Sequence, residues 1–230
     1  MKKTCLILAA VAVCNLLATN AMAQKSSKKQ KRAGAVTEVP VAEQINILEN
    51  GNVDGLTEWM PAGVANKEEN NYTKENICTY DPTVTHTSDW SGSLKIGGLD
   101  CTNNFKPWQA WRHRDIMVEP GATYAISVWV KTVDIPKNAN LFLSFGFKDD
   151  SNQWLTGWVP GHPEKNGFDQ RTSKWIDTTK GTHDWIELTG EVTAPENAAK
   201  ISYFQGMLNG IESAPTAYAW FDDFKIVKIK

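Results

Sequence analysis

An all-β sandwich or barrel is the fold class this sequence predicts, and three observations predict it. The first is a period of two in its apolar runs. In ATYAISVWVKTV, Tyr124, Ile126, Val128 and Val130 share one face, and Ala125, Ser127, Trp129 and Lys131 share the other. In NLFLSFGFKD, Leu141, Leu143, Phe145 and Phe147 alternate with Phe142, Ser144, Gly146 and Lys148. The second is punctuation: NGN, EPG, IPKN, APEN and LNG separate short runs such as INIL, SLKI, DIMV, WIELTGEV and KISYFQGM. The third is that no run of twelve or more residues has helical periodicity. Many evenly spaced short strands without helices pack as two sheets or close on themselves.

The ends stand apart from that body. Lys2 and Lys3, the apolar run CLILAAVAVCNLLA and Ala21-Met22-Ala23 before Gln24 read as an export signal over residues 1–23, cleaved after Ala23. The apolar run is too short to span a bilayer comfortably, so no transmembrane segment is expected. A lipoprotein reading would use Cys14, but Val13 before it is bulkier than such processing accepts. Residues 24–40 begin with QKSSKKQKRAG, which carries five positive charges and no large apolar residue, and read as a basic, solvated linker. Residues 41–230 read as a single domain.

Leaving out the seven positive charges of residues 1–34 takes the formal charge from −2 for the chain to −9 for residues 35–230. An acidic body argues against nucleic-acid binding. Cys5 and Cys14 leave with the signal. Cys78 and Cys101 remain as an even pair in an oxidising compartment, and a disulfide between them is the expectation. Two buried thiols that never meet are the alternative.

The stretch NGNVDGLTEW, residues 50–59, imitates half of an EF-hand, with Asn50, Asn52 and Asp54 at alternate positions and Gly55 sixth. An EF-hand needs a carboxylate at its twelfth position, and here that position is Pro61. The EF-hand reading fails.

A different resemblance covers most of the chain. INILENGNVDGLTEW opens it, IMVEPGATYAISVWVK supplies a P-G turn and an alternating strand, DWIELTGEVTAP follows, and AWFDDFKIVKI closes it. Four such motifs in this order, from Ile45 to Ile229, resemble carbohydrate-binding modules of the family 4/9 type, related to families 16 and 22. The resemblance implies a two-sheet antiparallel β-sandwich of jelly-roll topology, like galactose-binding domains. It also implies binding of a polysaccharide or oligosaccharide without cleavage, and a structural Ca²⁺ tying the first strand to the last. Asp54 and Asp222 fall where the family has its calcium-binding acids, with Asp54 standing where Glu is commoner and reaching less far. The chemistry is sensible, because Ca²⁺ accepts six to eight oxygens in irregular geometry.

A sugar site needs aromatic platforms for apolar C–H faces, and amide or charged groups for hydroxyls. Ten Trp against five Tyr and eight Phe is an unusual balance. Trp59, Trp185 and Trp220 fall on the family's structural positions. Trp129 lies opposite the apolar face of its strand, where it is either a platform or covered by a loop. Trp154 and Trp158, with Gln153, lie in the long polar stretch between Phe147 and Trp185; the alternative is that they pin that loop to the sandwich. Trp108, Trp111 and Arg112 come from KPWQAWRHR. Arg112 and Arg114 share parity with Ile116 and Val118, and burying both unpaired would be costly. A strand beginning or bulging near Arg114 is therefore expected, with residues 108–112 on a loop.

The rival class is a secreted glycoside hydrolase or lyase, which needs two carboxylates facing one another across a cleft. The acids of the long loop fix no such pair. His86, His113, His162 and His183 show no zinc-ligand spacing, and no G-x-S-x-G occurs. A non-enzymatic module, acting beside other secreted glycan-degrading proteins, is the expectation. A protein-binding jelly roll remains the third reading, since fold alone does not settle function.

Overall fold

The computed structural model describes residues 44–63, 77–87, 91–99, 108–155, 179–209 and 214–230. The expected export signal and basic linker lie outside them. Val41–Lys230 forms one compact unit. Among the described residues no helix is long and apolar enough to cross a membrane.

The strands are β1 (Trp59–Gly63), β2 (Cys78–Asp81), β3 (Ser93–Leu99), β4 (Gln109–His113), β5 (Ile116–Met117), β6 (Thr123–Ile135), β7 (Asn140–Lys148), β8 (Gly181–Thr193), β9 (Lys200–Asn209) and β10 (Ala214–Lys228). They form two antiparallel five-stranded sheets. One has the order β2-β3-β10-β6-β8. The other has the order β1-β4-β9-β5, with β7 also pairing β9. The chain is the all-β sandwich that the alternation predicts.

The alternation decides which side chains meet. On β6, Tyr124, Ile126, Val128 and Val130 are buried while Ala125, Ser127, Trp129 and Lys131 are half-buried. On β7, Leu141, Leu143, Phe145 and Phe147 enter the shared core with Phe204, Phe221 and Phe224. Sheets separated by one layer of side chains need small residues at close approaches. Gly206 of β9 is such a place, since a Cβ there would lie 2.9 Å from the Phe221 ring of the other sheet.

The segment before β1 is fastened directly to the last strand. Ile47 N donates to Ile226 O and Phe224 N to Gly51 O. The Asn46 amide donates to Phe224 O at 3.0 Å and accepts from Ile226 N at 2.8 Å. Within NGNVDG, Asn50 Oδ1 accepts from Asp54 N at 2.7 Å, and its Nδ2 donates to Thr57 O at 2.7 Å. Asn50 and Val53 both take positive φ here. The calcium-like spacing of this stretch is thus an asparagine-organised turn.

Candidate functional site

Register places the site. Across the second sheet Met60 of β1 pairs with Arg112 of β4, Arg112 with Gln205 of β9, and Gln205 with Ser144 of β7. Paired residues share a face. Their neighbours Trp111, Gly206 and Leu143 point to the core, so Met60, Arg112, Gln205 and Ser144 point outward.

Tyr203 joins this face through an irregularity. Between Ile201 and Phe204, which both point inward, two residues intervene, and the β7–β9 register shifts there. Tyr203 takes φ +55° and leaves its ring 44% exposed. That β-bulge re-aims a large side chain to the outside, a common role for bulges.

Trp154 reaches the same face from a turn. After β7 the chain reverses at Asp149–Asn152, with Asn152 at φ +63°, and Trp154 returns to bridge Lys148. Leu155 N donates to Phe147 O at 2.9 Å, and Asp149 Oδ1 accepts from Gln153 N at 2.8 Å. The turn is therefore ordered by its own polar groups, and Gln153 is exposed beside Trp154.

The side chains meet as a ladder. The Arg112 guanidinium lies 3.9 Å from the Tyr203 ring centre. Trp154 meets Tyr203 at 5.1 Å between centroids, tilted by 52°. Lys148 Nζ stands 4.4 Å from the Trp154 ring centre. Arg112 Nε donates to Gln205 Oε1 at 3.1 Å, which fixes the plane of the guanidinium. Burial lowers the Arg112 pKa from its ordinary value, with Tyr203 pulling the other way. Beside the ladder, burial alone would raise the Asp115 carboxyl. Hydrogen bonds from Ser202 and Lys200, with the Lys200 and Lys148 charges, bring it below the usual carboxylate value instead.

Of the expected binding residues, Trp154, Gln153 and Arg112 lie at this face. Trp111 does not. It is 1% exposed, points into the core and donates from Nε1 to Lys95 O of the opposite sheet at 3.0 Å. The expectation that residues 108–112 form an edge loop is corrected accordingly. Gln109–His113 is an interior strand between β1 and β9, and the chain breaks at Arg114–Asp115. Parity located the break, but the strand lies before it as well as after it. Trp108 is half-buried just ahead of β4 and makes no contact with the ladder among the described residues. Trp158 lies outside the described residues.

Trp129 is on the other sheet. It points outward as its parity predicts, but the His86 ring stacks on it at 3.8 Å and 14°. Trp185 meets His86 edge-on at 5.7 Å. Of the two expectations for Trp129, a platform or a ring covered by a loop, the structure has the second arrangement: a histidine from the β2–β3 connection stacks on that face. Tyr203 is the aromatic that sequence reading missed. The broken alternation between Ile201 and Phe204 was the available signal.

The expected calcium corner is built around Asp222, which is wholly buried. It accepts from His86 N at 2.8 Å and Thr85 Oγ1 at 3.1 Å, and from Asp223 N at 2.7 Å. Burial pushes the Asp222 carboxyl up to about 6, against the pull of the His86 and Asp223 amides. Thr85 Oγ1 also contacts Thr87 O and lies 3.2 Å from Ser91 Oγ, so one hydroxyl proton faces three oxygens. No lysine or arginine touches Asp222 among the described residues. A buried carboxylate without a cation, in a nest of oxygens, is chemistry that suits Ca²⁺. Asp54 is exposed and makes no contact with Asp222 among the described residues. Cys78 is buried, with Sγ 3.3 Å from Ala110 O, and Cys101 lies outside the described residues.

No protein-family model matches the sequence, and no curated protein matches it. Solved structures of similar fold do. The enzymatically active domain of tailspike protein 4 from bacteriophage CBA120 is 14% identical with a TM-score of 0.48, covering 80% of this chain and 22% of that one. The CBM22-1 xylan-binding domain of Paenibacillus barcinonensis Xyn10C is 15% identical with a TM-score of 0.45, covering 81% of this chain and 96% of that one. TmCBM61, solved with β-1,4-galactotriose, is 11% identical with a TM-score of 0.41, covering 81% of this chain and all of that one. Several of the similar structures are thus carbohydrate-binding modules. At these identities and scores nothing about function follows from the likeness.

The ladder's own chemistry is more informative. Two adjacent rings offer apolar surface, Arg112 and Lys148 offer donors and Gln153 an exposed amide around it, and buried Gln205 holds Arg112 from behind. The arrangement can hold a ligand that is apolar on its faces and polar on its rim.

Proposed function

We propose that this chain is an exported, non-catalytic polysaccharide- or oligosaccharide-binding module of the family 4/9 type. The observation that carries this reading is the half-exposed Tyr203–Trp154 pair on the outer face of a sheet, flanked by Arg112 and Gln205. Pyranose rings present C–H faces for such aromatics and a rim of hydroxyls for the polar groups. The module brings no chemistry of its own and concentrates glycan for other secreted proteins that degrade it.

The proposal includes a structural Ca²⁺ at the Asp222 corner. Asp222, Thr85, Ser91 and backbone carbonyls would hold it, with Asp54 as the outer ligand that the resemblance implies. Bound there, the ion would neutralise the buried carboxylate and link Thr85 and Ser91 to β10. It also includes cleavage after Ala23 and a Cys78–Cys101 disulfide. The mass of the exported protein before and after reduction and alkylation tests both.

The deciding experiment is tryptophan fluorescence of residues 24–230 titrated with a panel of soluble glycans, in Ca²⁺ and after chelation. A saturable change with one glycan class, lost in Trp154→Ala, is expected. A folded protein that responds to no glycan would replace this reading with a protein-binding jelly roll.

A further inference from the structure

The face that carries Tyr203 and Trp154 holds Arg112, Lys148 and Lys200, with Asp115 beside the two lysines and Asp149 and Asp150 on the adjoining turn. Lys200 Nζ is engaged by Asp115 at 2.9 Å, and the other oxygen of that carboxylate accepts from Ser202 Oγ at 2.7 Å. Arg112 makes no ion pair with a carboxylate among the described residues, and Lys148 acts on Asp115 through its charge without an ion-pair contact; each lies over an aromatic ring. The Arg112 guanidinium without an ion pair sits on a body whose formal charge is about −9 over residues 35–230. The body's field would repel an anion that lacked local compensation.

Arg112 is also held ready. Its Nε is bound by Gln205 and its plane lies against Tyr203, so the terminal nitrogens remain as a fixed fork. A guanidinium fork matches the planar two-oxygen edge of a carboxylate, and orienting it in advance removes part of the entropic cost of binding. Partial burial strengthens an incoming ion pair, because water screens it less.

We infer that the ligand of this face is an acidic polysaccharide, whose uronate carboxylates pair with Arg112 and Lys148 while its pyranose rings lie against Tyr203 and Trp154. The inference rests on the glycan-binding reading above and names its substrate class. A chain with an acid on every residue satisfies both cations at once. A neutral glycan leaves Arg112 without a counter-charge.

The test is calorimetric titration of residues 24–230 with polygalacturonate and with the same polymer after carboxyl reduction, at low and high salt. Polygalacturonate is expected to bind about tenfold or more tighter than the reduced polymer, the scale of one charge-assisted bidentate pair. Arg112→Gln should abolish most of that preference. Arg112→Lys, which keeps the charge and loses the fork, should abolish much of it. Lys148→Gln should reduce it, and because Lys148 packs at the surface, that variant keeps the test informative if Arg112→Gln fails to fold. Equal affinity for the two polymers, unaffected by these substitutions, would overturn the acidic-ligand inference and leave glycan binding intact. Dextran sulfate bound equally well, with no loss in Trp154→Ala, would also overturn it by showing unspecific polyanion attraction. Silence toward every acidic and neutral glycan would overturn the binding reading itself.

Discussion

Trp154 and Trp129 are the same side chain in opposite situations. Trp154 stands on a turn that folds back over β7 and meets Tyr203 on an open face. Trp129 lies on the outer face of the other sheet with an imidazole stacked against it, and that imidazole is held at 2.6 Å by Asp223. Removing an aromatic platform costs about 1–1.5 kcal/mol beyond its area, or roughly tenfold in affinity. Trp154→Ala and Tyr203→Ala should each weaken glycan binding by about that factor, with little change in melting temperature for Trp154→Ala. Trp129→Ala should leave affinity unchanged and lower stability instead. Calorimetry and thermal melts on the three variants separate these outcomes, and a Trp129→Ala variant that alone lost binding would move the site to the opposite sheet. Sequence parity reads Trp129 as outward and is right. It carries no information about which loop covers an outward face, because that depends on contacts distant in the chain. Tyr203 is hidden for a related reason: a bulge shifts parity midway along β9, which the sequence shows only as a break between Ile201 and Phe204 and which the pairing with β7 identifies.

β6 is legible because residues 123–132 alternate without a break, and β7 because Leu141, Leu143, Phe145 and Phe147 keep one face although Phe142 is buried on the other. The five-residue strand β4 is not. It carries Trp, Arg and His, breaks two residues before β5, and reads as a loop until its neighbours on both sides are known. Its interior position has a local cost. Gln109 is fully buried, and neither its amide nitrogen nor its oxygen finds a partner among the described residues. An unsatisfied buried polar group costs about 1–3 kcal/mol. Gln109→Met, which keeps the length and removes the polar atoms, should therefore raise stability by about 1–2 kcal/mol in urea unfolding; a loss would show that a bound water satisfies the amide. Between the sheets the sign reverses. Gly206→Ala would place a methyl 2.9 Å from the Phe221 ring. Overpacking of this kind costs about 1–3 kcal/mol, so a fall in urea midpoint at unchanged slope is the expected result. An unchanged midpoint would mean that the two sheets can separate without loss of packing.

Across the whole molecule, the corner at Asp222 couples fold, metal and pH. The first and last segments are already joined by backbone bonds and by Asn46, so the jelly roll closes without an ion. What an ion would add is neutralisation of a carboxylate whose pKa burial raises to about 6. The sign follows from proton counts. Between the ordinary carboxylate value and about 6, the folded state holds a proton on Asp222 that the unfolded chain has released. Stability of the metal-free protein therefore falls as pH rises through that window, by on the order of 2 kcal/mol. Asp81, Asp115 and Asp184 are shifted the other way, so their contribution is lost only at lower pH and does not mask the effect. Chelated protein should melt a few degrees higher at pH 5 than at pH 7. Added Ca²⁺ should raise the melting temperature strongly at pH 7 and little at pH 5, where the proton competes for the same oxygens. Asp222→Asn should lose the response to Ca²⁺ and remove the decline between pH 5 and pH 7. It should also leave glycan affinity unchanged, because the ladder of Arg112, Tyr203 and Trp154 lies on the other sheet. Parallel melts of the wild type and this variant, with and without Ca²⁺, decide it. A wild type indifferent to Ca²⁺ at pH 7 would leave Asp222 as a buried carboxyl accepting from Thr85 and the His86 amide and remove calcium from the protein's chemistry.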